Sequence, residues 1–341
     1  MARNYYQLIP HAFKRFSIRS ALRTGLPTAW FYLTRPTLPP DDKPALFTMN
    51  ILPPMVRIWH HLVRKNLGDK VDVTIFDCSG TLRRRDFPGA RIQKFLNPRH
   101  AMKCDAFLYT VARNRRIAWV CDDDVFIISP AALDTVRREL AQPNTASISF
   151  IPRGWWHFRI GEKDYEPSGT YCIAFDRETY VRERLSFAPA DGNNHVDHTG
   201  GKLRRYDSFD KANETLLEKG YRCAIVPKEE RDTYVAEYFG LSAAVMLLSY
   251  FRTPEQTLDY LESAPEEGWG GTALPRVLGG LLAIHTIQEC YTRLTGSPYP
   301  LPSLPTLPLL NAIRRKREPQ LRHGQSFAMV DETGEKLKKA L

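Results

Sequence analysis

Three consecutive aspartates stand between two apolar runs near the middle of the chain. The run Ile117–Cys121 has the length and composition of a buried strand, and it leads directly into Asp122, Asp123 and Asp124. A second apolar run follows at residues 125–128. Adjacent carboxylates repel one another, so such a cluster is costly unless a cation or hydrogen-bond donors compensate. Its position therefore favours a binding site over a solvated surface turn.

Short strands and helices alternate on both sides of the aspartates. The patterns predict strands over residues 45–49, 71–76, 117–121, 145–150, 169–175 and 223–226, and helices over 55–65, 99–112 and about 207–219. Strands that alternate with helices form parallel sheets, and ligands bind at the carboxyl ends of such strands. The predicted fold is α/β: a Rossmann-type, mostly parallel sheet flanked by helices, with a C-terminal helical extension.

Four segments are predicted along the 341 residues. Residues 1–43 form a basic amphipathic extension and linker, and residues 44–232 form the catalytic domain. Residues 233–297 form a helical extension that completes the catalytic unit. Residues 298–341 form a proline-rich connector and a basic tail.

Composition limits the partners and the compartment. The formal charge of +10 suits an anionic partner, but nucleic acid, an acidic membrane and a phosphorylated substrate all qualify. Six widely spaced cysteines without a C-x-x-C pair predict reduced thiols. Because no signal-peptide pattern and no apolar run of about 20 residues is found, we expect a cytoplasmic protein.

A divalent cation is the natural partner of the aspartates. Mg²⁺ prefers oxygen ligands, and proteins commonly hold it with one or two carboxylates and the phosphates of a substrate. Alternate side chains of a strand point the same way. We therefore expect Asp122 and Asp124 to converge on the cation while Asp123 faces elsewhere.

An apolar strand followed by Asp-x-Asp resembles the signature of glycosyltransferases of the GT-A fold. Other segments also resemble parts of that family, and with the aspartates they cover about residues 44–227. These segments are Phe76-Asp77-Cys78-Ser79, the stretch from Arg99 to Asp105, Tyr206-Asp207-Ser208 and Gly220-Tyr221-Arg222.

The resemblance implies metal-dependent transfer of a sugar from a nucleotide-diphosphate donor, UDP-linked by preference, to a hydroxyl group. The acceptor would be a glycan, a lipid-linked molecule or a small molecule, and the metal Mn²⁺ or Mg²⁺. The residues implied on the nucleotide side, with Asp77 near the base, are Thr48, Asp77, Arg99, Lys103, Asp105, Asp122 and Asp123.

The resemblance also implies metal ligands and a general base. Asp122 and Asp124 would hold the metal with His198 as a third ligand and His195 as its alternative, because Glu266-Glu267 stand where many members have a histidine. If the transfer inverts the anomeric centre, a carboxylate takes the acceptor's proton. Asp207 is the first candidate and Asp197 the second. The alternative for Asp207 is an N-cap of the helix that follows it.

Two other functions compete with the transferase. Residues 75–82, which include Asp77, also resemble the first motif of haloacid-dehalogenase-type phosphatases, but Ser79 replaces the second acid of that motif. A nonenzymatic membrane or nucleic-acid binding protein would use the basic termini. That function leaves the central acids unexplained, so we do not expect nucleic acid as a partner.

The N-terminal segment mixes apolar and basic residues. The apolar positions are Tyr5, Tyr6, Leu8, Ile9, Phe13 and Phe16, and the basic ones are Lys14, Arg15 and Arg19. This mixture suits the interface of an anionic membrane, which predicts peripheral contact at the inner face of the cell membrane. The alternative is that the segment packs on the catalytic domain, with residues 241–294 as the matching surface.

Overall fold

The computed structural model describes residues 8–153, 156–191, 195–197, 206–238, 241–263, 273–318 and 325–341. The strands are β1 Ala45–Asn50, β2 Asp72–Asp77, β3 Ala90–Lys94, β4 Ile117–Cys121, β5 Val125–Ile127, β6 Thr145–Ser149, β7 Trp156–Ile160, β8 Lys163–Tyr165, β9 Cys172–Asp176, β10 His195–Asp197, β11 Arg222–Ile225 and β12 Val235–Glu237. The helices are α1 Leu8–Thr34, α2 Pro53–Leu67, α3 His100–Ala106, α4 Ala131–Leu140, α5 Arg177–Arg182, α6 Asp210–Glu218, α7 Lys228–Tyr234, α8 Leu241–Tyr250, α9 Pro254–Ser263, α10 Ala273–Thr295, α11 Leu307–Arg317 and α12 Gln325–Ala340.

A seven-stranded sheet forms the centre of the molecule, with the strand order β3-β2-β1-β4-β9-β6-β11. Its neighbouring strands are parallel, except that β9 runs antiparallel to both β4 and β6. Helices flank this sheet and a helical region follows it, so the predicted fold class is confirmed. The smaller sheets are β10-β7-β8 and β12-β5.

The strand order reverses between β1 and β4. From β1 the chain adds β2 and then β3 on one side, whereas β4 is placed on the other side of β1. Such a reversal opens a crevice at the carboxyl ends of the two strands, and ligands of open α/β sheets bind there. The three aspartates follow β4 directly, so the fold brings them to this crevice.

The central strands are buried on both faces, which explains their continuous apolar composition. Every residue of β1 and β6 is buried. One hydrophobic cluster, on the side of α2, α8 and α10, contains Trp59 and Trp119, and a second cluster contains Phe47 and Phe107. Because the clusters lie on opposite faces of the strands, the sheet is the middle layer of three.

Both ends of the chain pack on this core. Helix α1 contacts α8 and β3, and the Ser20 hydroxyl donates to the carbonyl of Cys78. The residues predicted as a basic tail form α11 and α12. The predicted helix over residues 99–112 is present as α3 followed by a π-helical turn, Phe107–Val111.

Two other expectations concern the cysteines and the membrane. All six cysteines are free thiols, and five of them are buried. Among the helices of the described residues, none has the length and apolar content needed to cross a bilayer.

Candidate functional site

The aspartates line a cavity of about 170 Å³ at the switch point between β1 and β4. We call it the acid cavity. Asn97, His100 and Lys103 face it from the loop after β3 and from α3, while Phe13 of α1 and Met246 of α8 close it from the other side. The site is thus built from segments that are far apart in sequence.

All three aspartates line this cavity, so the prediction that Asp123 faces away is wrong. That prediction applied strand alternation to residues that are no longer in a strand. β4 ends at Cys121, and Asp123 and Asp124 form a turn in which the Val125 amide donates to the Asp122 carbonyl. The alternation of side chains holds within a strand and does not extend into the turn that follows it.

The acid cavity concentrates negative charge away from water. The Asp123 side chain is 6% exposed, and within the described chain its Oδ2 atom has no hydrogen-bond partner. Burial and the neighbouring carboxylates of Asp124 and Asp122 raise the pKa of Asp123 well above its usual value. Burial and the Asp122 carboxylate likewise raise the pKa of Asp124. Such a site favours the uptake of positive charge.

Two basic side chains partly compensate the negative charge of the acid cavity. His100 Nε2 lies 3.0 Å from Asp122 Oδ1. Burial alone would lower the pKa of His100, but its contacts with Cys104 and the Asp122 carboxylate raise that pKa well above the usual value. Lys103 is 5% exposed, and its Nζ donates to Asn97 Oδ1 over 2.9 Å. A nearly buried lysine on the wall of an acid-lined cavity can also reach a phosphate that enters it.

A second cavity, of about 290 Å³, is lined by Arg99, Pro189, Tyr206 and Asp207. We call it the Arg99 cavity. It adjoins the acid cavity, because Arg99 and His100 are consecutive and face one cavity each. The structure therefore brings the predicted base Asp207 into the neighbourhood of the aspartates.

Asp207 is held by an arginine that the sequence patterns did not single out. Arg153 is 4% exposed, and its guanidinium donates to Asp207 Oδ2 over 2.9 Å and to the Ser208 carbonyl over 2.7 Å. Its Nε atom lies 3.3 Å from Asp210 Oδ1. Burial would raise the pKa of Asp207, but the Arg153 guanidinium and the Ser208 amide together lower it below its usual value. No sequence signal marks Arg153, since its partners are more than 50 residues away.

The N-cap alternative for Asp207 is wrong. α6 begins at Asp210, and its N-cap position is occupied by Phe209 in the left-handed region. Instead, the Asp207 amide donates to Asp210 Oδ2 and the Asp207 side chain accepts from the Ser208 amide, both over 2.7 Å. The Asp207 side chain is 64% exposed, so it remains accessible from the Arg99 cavity.

Asp77 is buried inside the turn that follows β2. Its Oδ1 atom accepts from the Ser79 hydroxyl over 2.6 Å and from the Gly80 amide over 2.9 Å, while Oδ2 accepts from the Leu82 amide over 2.9 Å. The side chain has no exposed surface. Asp77 therefore shapes this turn from within, and the backbone of the turn rather than the carboxylate can face a ligand.

Two other predicted nucleotide contacts line neither cavity. Thr48 lies buried in β1, opposite Ile75 of β2. Asp105 accepts hydrogen bonds from the Tyr180 hydroxyl, the Ser186 hydroxyl and the Phe187 amide. These contacts fix the loop that passes beside Arg99 and His100, so Asp105 acts on the site through its neighbours.

The remaining predicted residues lie at the edge of the described chain. β10 places the backbones of His195 and Asp197 beside β7. Their side chains, and the whole of His198, lie outside the described residues. Their predicted roles as base and metal ligand stay predictions.

A bound cation fits the residues that are present. The three acidic side chains converge on one cavity, and Asp123 carries a buried oxygen to which no described group donates. Among the described residues no group of three or more His, Cys, Asp or Glu side chains is arranged to hold a metal. Mg²⁺ and similar ions are often held by one or two carboxylates together with substrate phosphates, which suits such a partial ligand set.

The similarity of this chain to known proteins is weak. No protein-family profile matches the sequence, and no curated protein sequence matches it. The chain is similar in structure to the mannosyltransferase PcManGT from Pyrobaculum calidifontis, solved in complex with GDP-Man and Mn²⁺, at 14% identity over 96% of this chain and 98% of that chain, with a TM-score of 0.41.

Two further solved structures are similar over about 70% of this chain. A cytidylyltransferase from Leptospira borgpetersenii matches at 10% identity over 94% of its own length, with a TM-score of 0.33. The bifunctional glycosyltransferase WbbM matches at 9% identity over 53% of its own length, with a TM-score of 0.34. Similarity at this level fixes neither a family nor an activity.

Proposed function

We propose that the chain is a metal-dependent glycosyltransferase that moves a sugar from a nucleotide-diphosphate donor to a hydroxyl acceptor. The observation that carries the proposal is the acid cavity at the switch point, where three carboxylates meet Lys103. The motif resemblance of residues 44–227 points to the same activity. A UDP-linked donor and a role in cell-surface glycan or glycolipid synthesis belong to the proposal.

The acid cavity supplies what a diphosphate leaving group needs. Asp122 and Asp124 would hold Mn²⁺ or Mg²⁺ together with phosphate oxygens of the donor, and the ion would neutralise charge on the diphosphate. Lys103 stands on the cavity wall as a fixed cation for the same phosphates. His100 orients Asp122 through the hydrogen bond between them.

The Arg99 cavity is the proposed acceptor side. Asp207 is ionised at neutral pH, as its pKa lies below the usual aspartate value, and the side chain is exposed to the cavity. An ionised carboxylate in this position can accept a proton from the attacking hydroxyl. Arg153 holds it in one orientation, so Arg153 is a positioning residue.

The phosphatase alternative requires Asp77 to attack phosphorus. A nucleophile needs an accessible lone pair, whereas Asp77 has no exposed surface and gives both carboxylate oxygens to donors of its own turn. The structure thus offers no reaction path for that chemistry at Asp77. A nonenzymatic membrane or nucleic-acid binding protein would leave the buried acids of the cavity unexplained.

Calorimetric titration with a panel of nucleotide sugars, with and without Mn²⁺, tests the proposal. We expect one donor to bind only with the cation. Asp124→Ala should abolish cation-dependent binding without lowering the melting temperature, because it removes one of three clustered carboxylates and no core side chain. A variant that binds the donor in Mn²⁺ as tightly as the parent would contradict the assignment of the aspartates.

Asp134→Ala in α4 is a suitable control, since it removes an exposed carboxylate outside both cavities. It should leave donor binding unchanged. A phosphomonoester assay on the same preparation completes the test. Phosphate release that disappears in Asp77→Ala would favour the phosphatase.

A further inference from the structure

In its middle turns, helix α1 buries hydroxyl side chains and exposes large apolar ones, which is the reverse of what a helix packed on a protein core usually does. Its buried positions between residues 20 and 28 are hydroxyl residues: Ser20, Thr24 and Thr28. Two positions further on, Leu22 is 86% exposed, Leu26 is 88% exposed and Trp30 is 64% exposed. Two residues correspond to about 200° around a helix, so the two sets lie on opposite faces.

The buried hydroxyl face is fixed to the sheet by specific contacts. Ser20 donates to the Cys78 carbonyl, and Thr28 Oγ1 accepts from the Leu96 amide over 2.7 Å. Phe31 continues this face into the core, where its ring packs edge-on against Phe76 with centroids 5.5 Å apart. The helix therefore cannot rotate to hide its leucines without breaking these contacts.

The outer face is a continuous apolar stripe. It runs from Ile18 through Leu22, Leu26 and Trp30 to Leu33, a distance of about 22 Å along the helix. Single exposed apolar residues are common, but a stripe of this length marks a surface that another apolar phase covers. In the part of the chain that the structure describes, no segment covers it.

The charges beside the stripe indicate which kind of apolar surface covers it. The first 40 residues contain no Asp or Glu, and Lys14, Arg19 and Arg23 are exposed along α1 beside the stripe. An apolar face flanked by basic residues, with aromatic rings at one end, is the pattern of a helix that lies in the interface of an anionic bilayer. A second copy of the chain fits worse, because paired α1 helices would bring the same basic side chains together.

We propose that the α1 stripe docks on an anionic membrane surface. The contact surface differs from the one expected from the sequence: the half-buried Phe16 is not part of it, and the exposed residues extend to Leu33. Docking needs no conformational change, since the face is already exposed. The stripe lies parallel to the bilayer, with the leucines and Trp30 below the headgroups.

The α1 stripe also indicates the chemical class of the acceptor. This inference rests on the proposed transferase function. Phe13, near the start of the same helix, lines the acid cavity. Docking of α1 therefore holds the cavity close to the headgroups, where a hydroxyl acceptor with a lipid anchor is concentrated. Vesicle binding needs no turnover, so its failure and the failure of donor binding are separate results.

Co-sedimentation of the full chain with phosphatidylcholine vesicles, with and without phosphatidylglycerol, tests the docking. We expect binding that needs phosphatidylglycerol and weakens with salt. The double variant Leu22→Ser and Leu26→Ser should bind about a hundred-fold more weakly, roughly ten-fold for each leucine. The double variant Lys14→Gln and Arg23→Gln should also bind the vesicles more weakly, with an affinity roughly five-fold lower for each charge removed. Both leucines are exposed, so the melting temperature should not fall.

Met329→Ser is the matched control, because it removes an apolar side chain that is 44% exposed on α12. It should bind vesicles as the parent does. The proposal is overturned if the parent does not bind phosphatidylglycerol vesicles, or if the double leucine variant binds them equally well. It is also overturned if light scattering shows a parent dimer that the leucine changes convert to a monomer while neither form binds vesicles.

Discussion

Asp123 shows how a binding site can be unfavourable for the fold that carries it. The side chain is almost fully buried between two other carboxylates, and one of its oxygens has no donor among the described residues. Like charges in a poorly solvated cavity repel strongly, so the apoprotein bears a cost that a cation would remove. If Asp123 serves binding, as proposed, its retention at a cost in stability follows the usual trade-off between stability and function.

Replacing Asp123 by asparagine should therefore stabilise the apoprotein while it weakens the site. We expect the free energy of unfolding in EDTA at neutral pH to rise by about 1 kcal/mol or more, because one of three clustered charges is removed. Urea denaturation with EDTA and with Mn²⁺ measures both effects. Mn²⁺ should stabilise the parent more than the variant, and an equal effect on the two proteins would argue against a role of Asp123 in cation binding.

Arg153 is the residue whose loss should damage the Arg99 cavity most. Its buried guanidinium joins Asp207 to Asp210, and Asp210 is only 1% exposed. Arg153→Met should cost about 3–5 kcal/mol of stability, because it leaves a buried carboxylate without its cation. Arg159→Met, which breaks an exposed pair with Asp164, should leave the stability almost unchanged.

A double-mutant cycle separates this coupling from simple loss of packing. Arg153→Met combined with Asp210→Asn should cost clearly less than the sum of the single changes, because the second change removes the uncompensated charge. Urea denaturation of the four proteins gives the coupling free energy. Additive losses would mean that the short contact between Arg153 and Asp210 contributes nothing to stability.

Among the elements, α1 depends on the turn that Asp77 shapes. Gly80 in this turn has a φ of +70°, and a Cβ atom added there would lie 2.7 Å from Arg23 Cβ of α1. The contact is with the base of the side chain and not with its flexible end, so the helix itself would have to move. The turn and the helix therefore fit together only with glycine at this position.

Gly80→Ala and Gly220→Ala form a matched pair that tests this fit. Gly220 also has positive φ, +79°, but an added Cβ would have no atom within 4 Å. Gly220→Ala should cost about 1 kcal/mol from backbone strain alone. Gly80→Ala should cost about 1–3 kcal/mol more from overpacking. Equal losses in chemical denaturation would show that α1 is free to shift.

Regular apolar strands made most of the sheet predictable. The strand assigned to residues 117–121 is β4, and the two strands before it are within one residue of β1 and β2. Asp122, Asp124 and Lys103, which the sequence also singled out, all line the acid cavity, while their roles stay predictions. Each of these features depends on residues that are close in sequence, where side-chain periodicity is informative.

Features that depend on distant partners could not be predicted in this way. The pairing of Arg153 with Asp207 joins residues that are far apart in sequence, so no local pattern indicates it. The burial of Asp77 depends on the hydrogen bonds of its own turn, which no local pattern indicates either. α1 is a different case: it packs on α8, within the surface expected for the packing alternative, and its outer face is apolar as well. Its apolar stripe faces outward, so hydrophobic periodicity alone cannot say which side meets the protein.

At the scale of the whole molecule, the C-terminal segment is part of the folded unit. Phe327 of α12 is fully buried near Gly279 of α10, and Thr333 donates to the Glu237 carbonyl in β12. β12 in turn pairs with β5, which follows the aspartates, and the Tyr238 amide donates to the Asp124 carbonyl. A chain of contacts thus connects α12 with the acid cavity.

Phe327→Ala should therefore destabilise the whole protein, by about 3–5 kcal/mol for loss of a buried phenylalanine. Met329→Ala on the exposed side of the same helix should change stability by less than about 0.5 kcal/mol. Thermal unfolding followed by circular dichroism measures both. If residues 298–341 were an appended tail, Phe327→Ala would leave the main transition where it is in the parent.

The composition of the acid cavity has a consequence for how the protein is made. One wall comes from Phe13 and another from Met246, which are separated by more than two thirds of the chain. A ribosome delivers the N-terminal helix and the aspartates long before α8, so a growing chain carries both without a closed pocket. The cavity can be complete only after α8 has left the exit tunnel, whereas the outward leucines of α1 are exposed before and after that point.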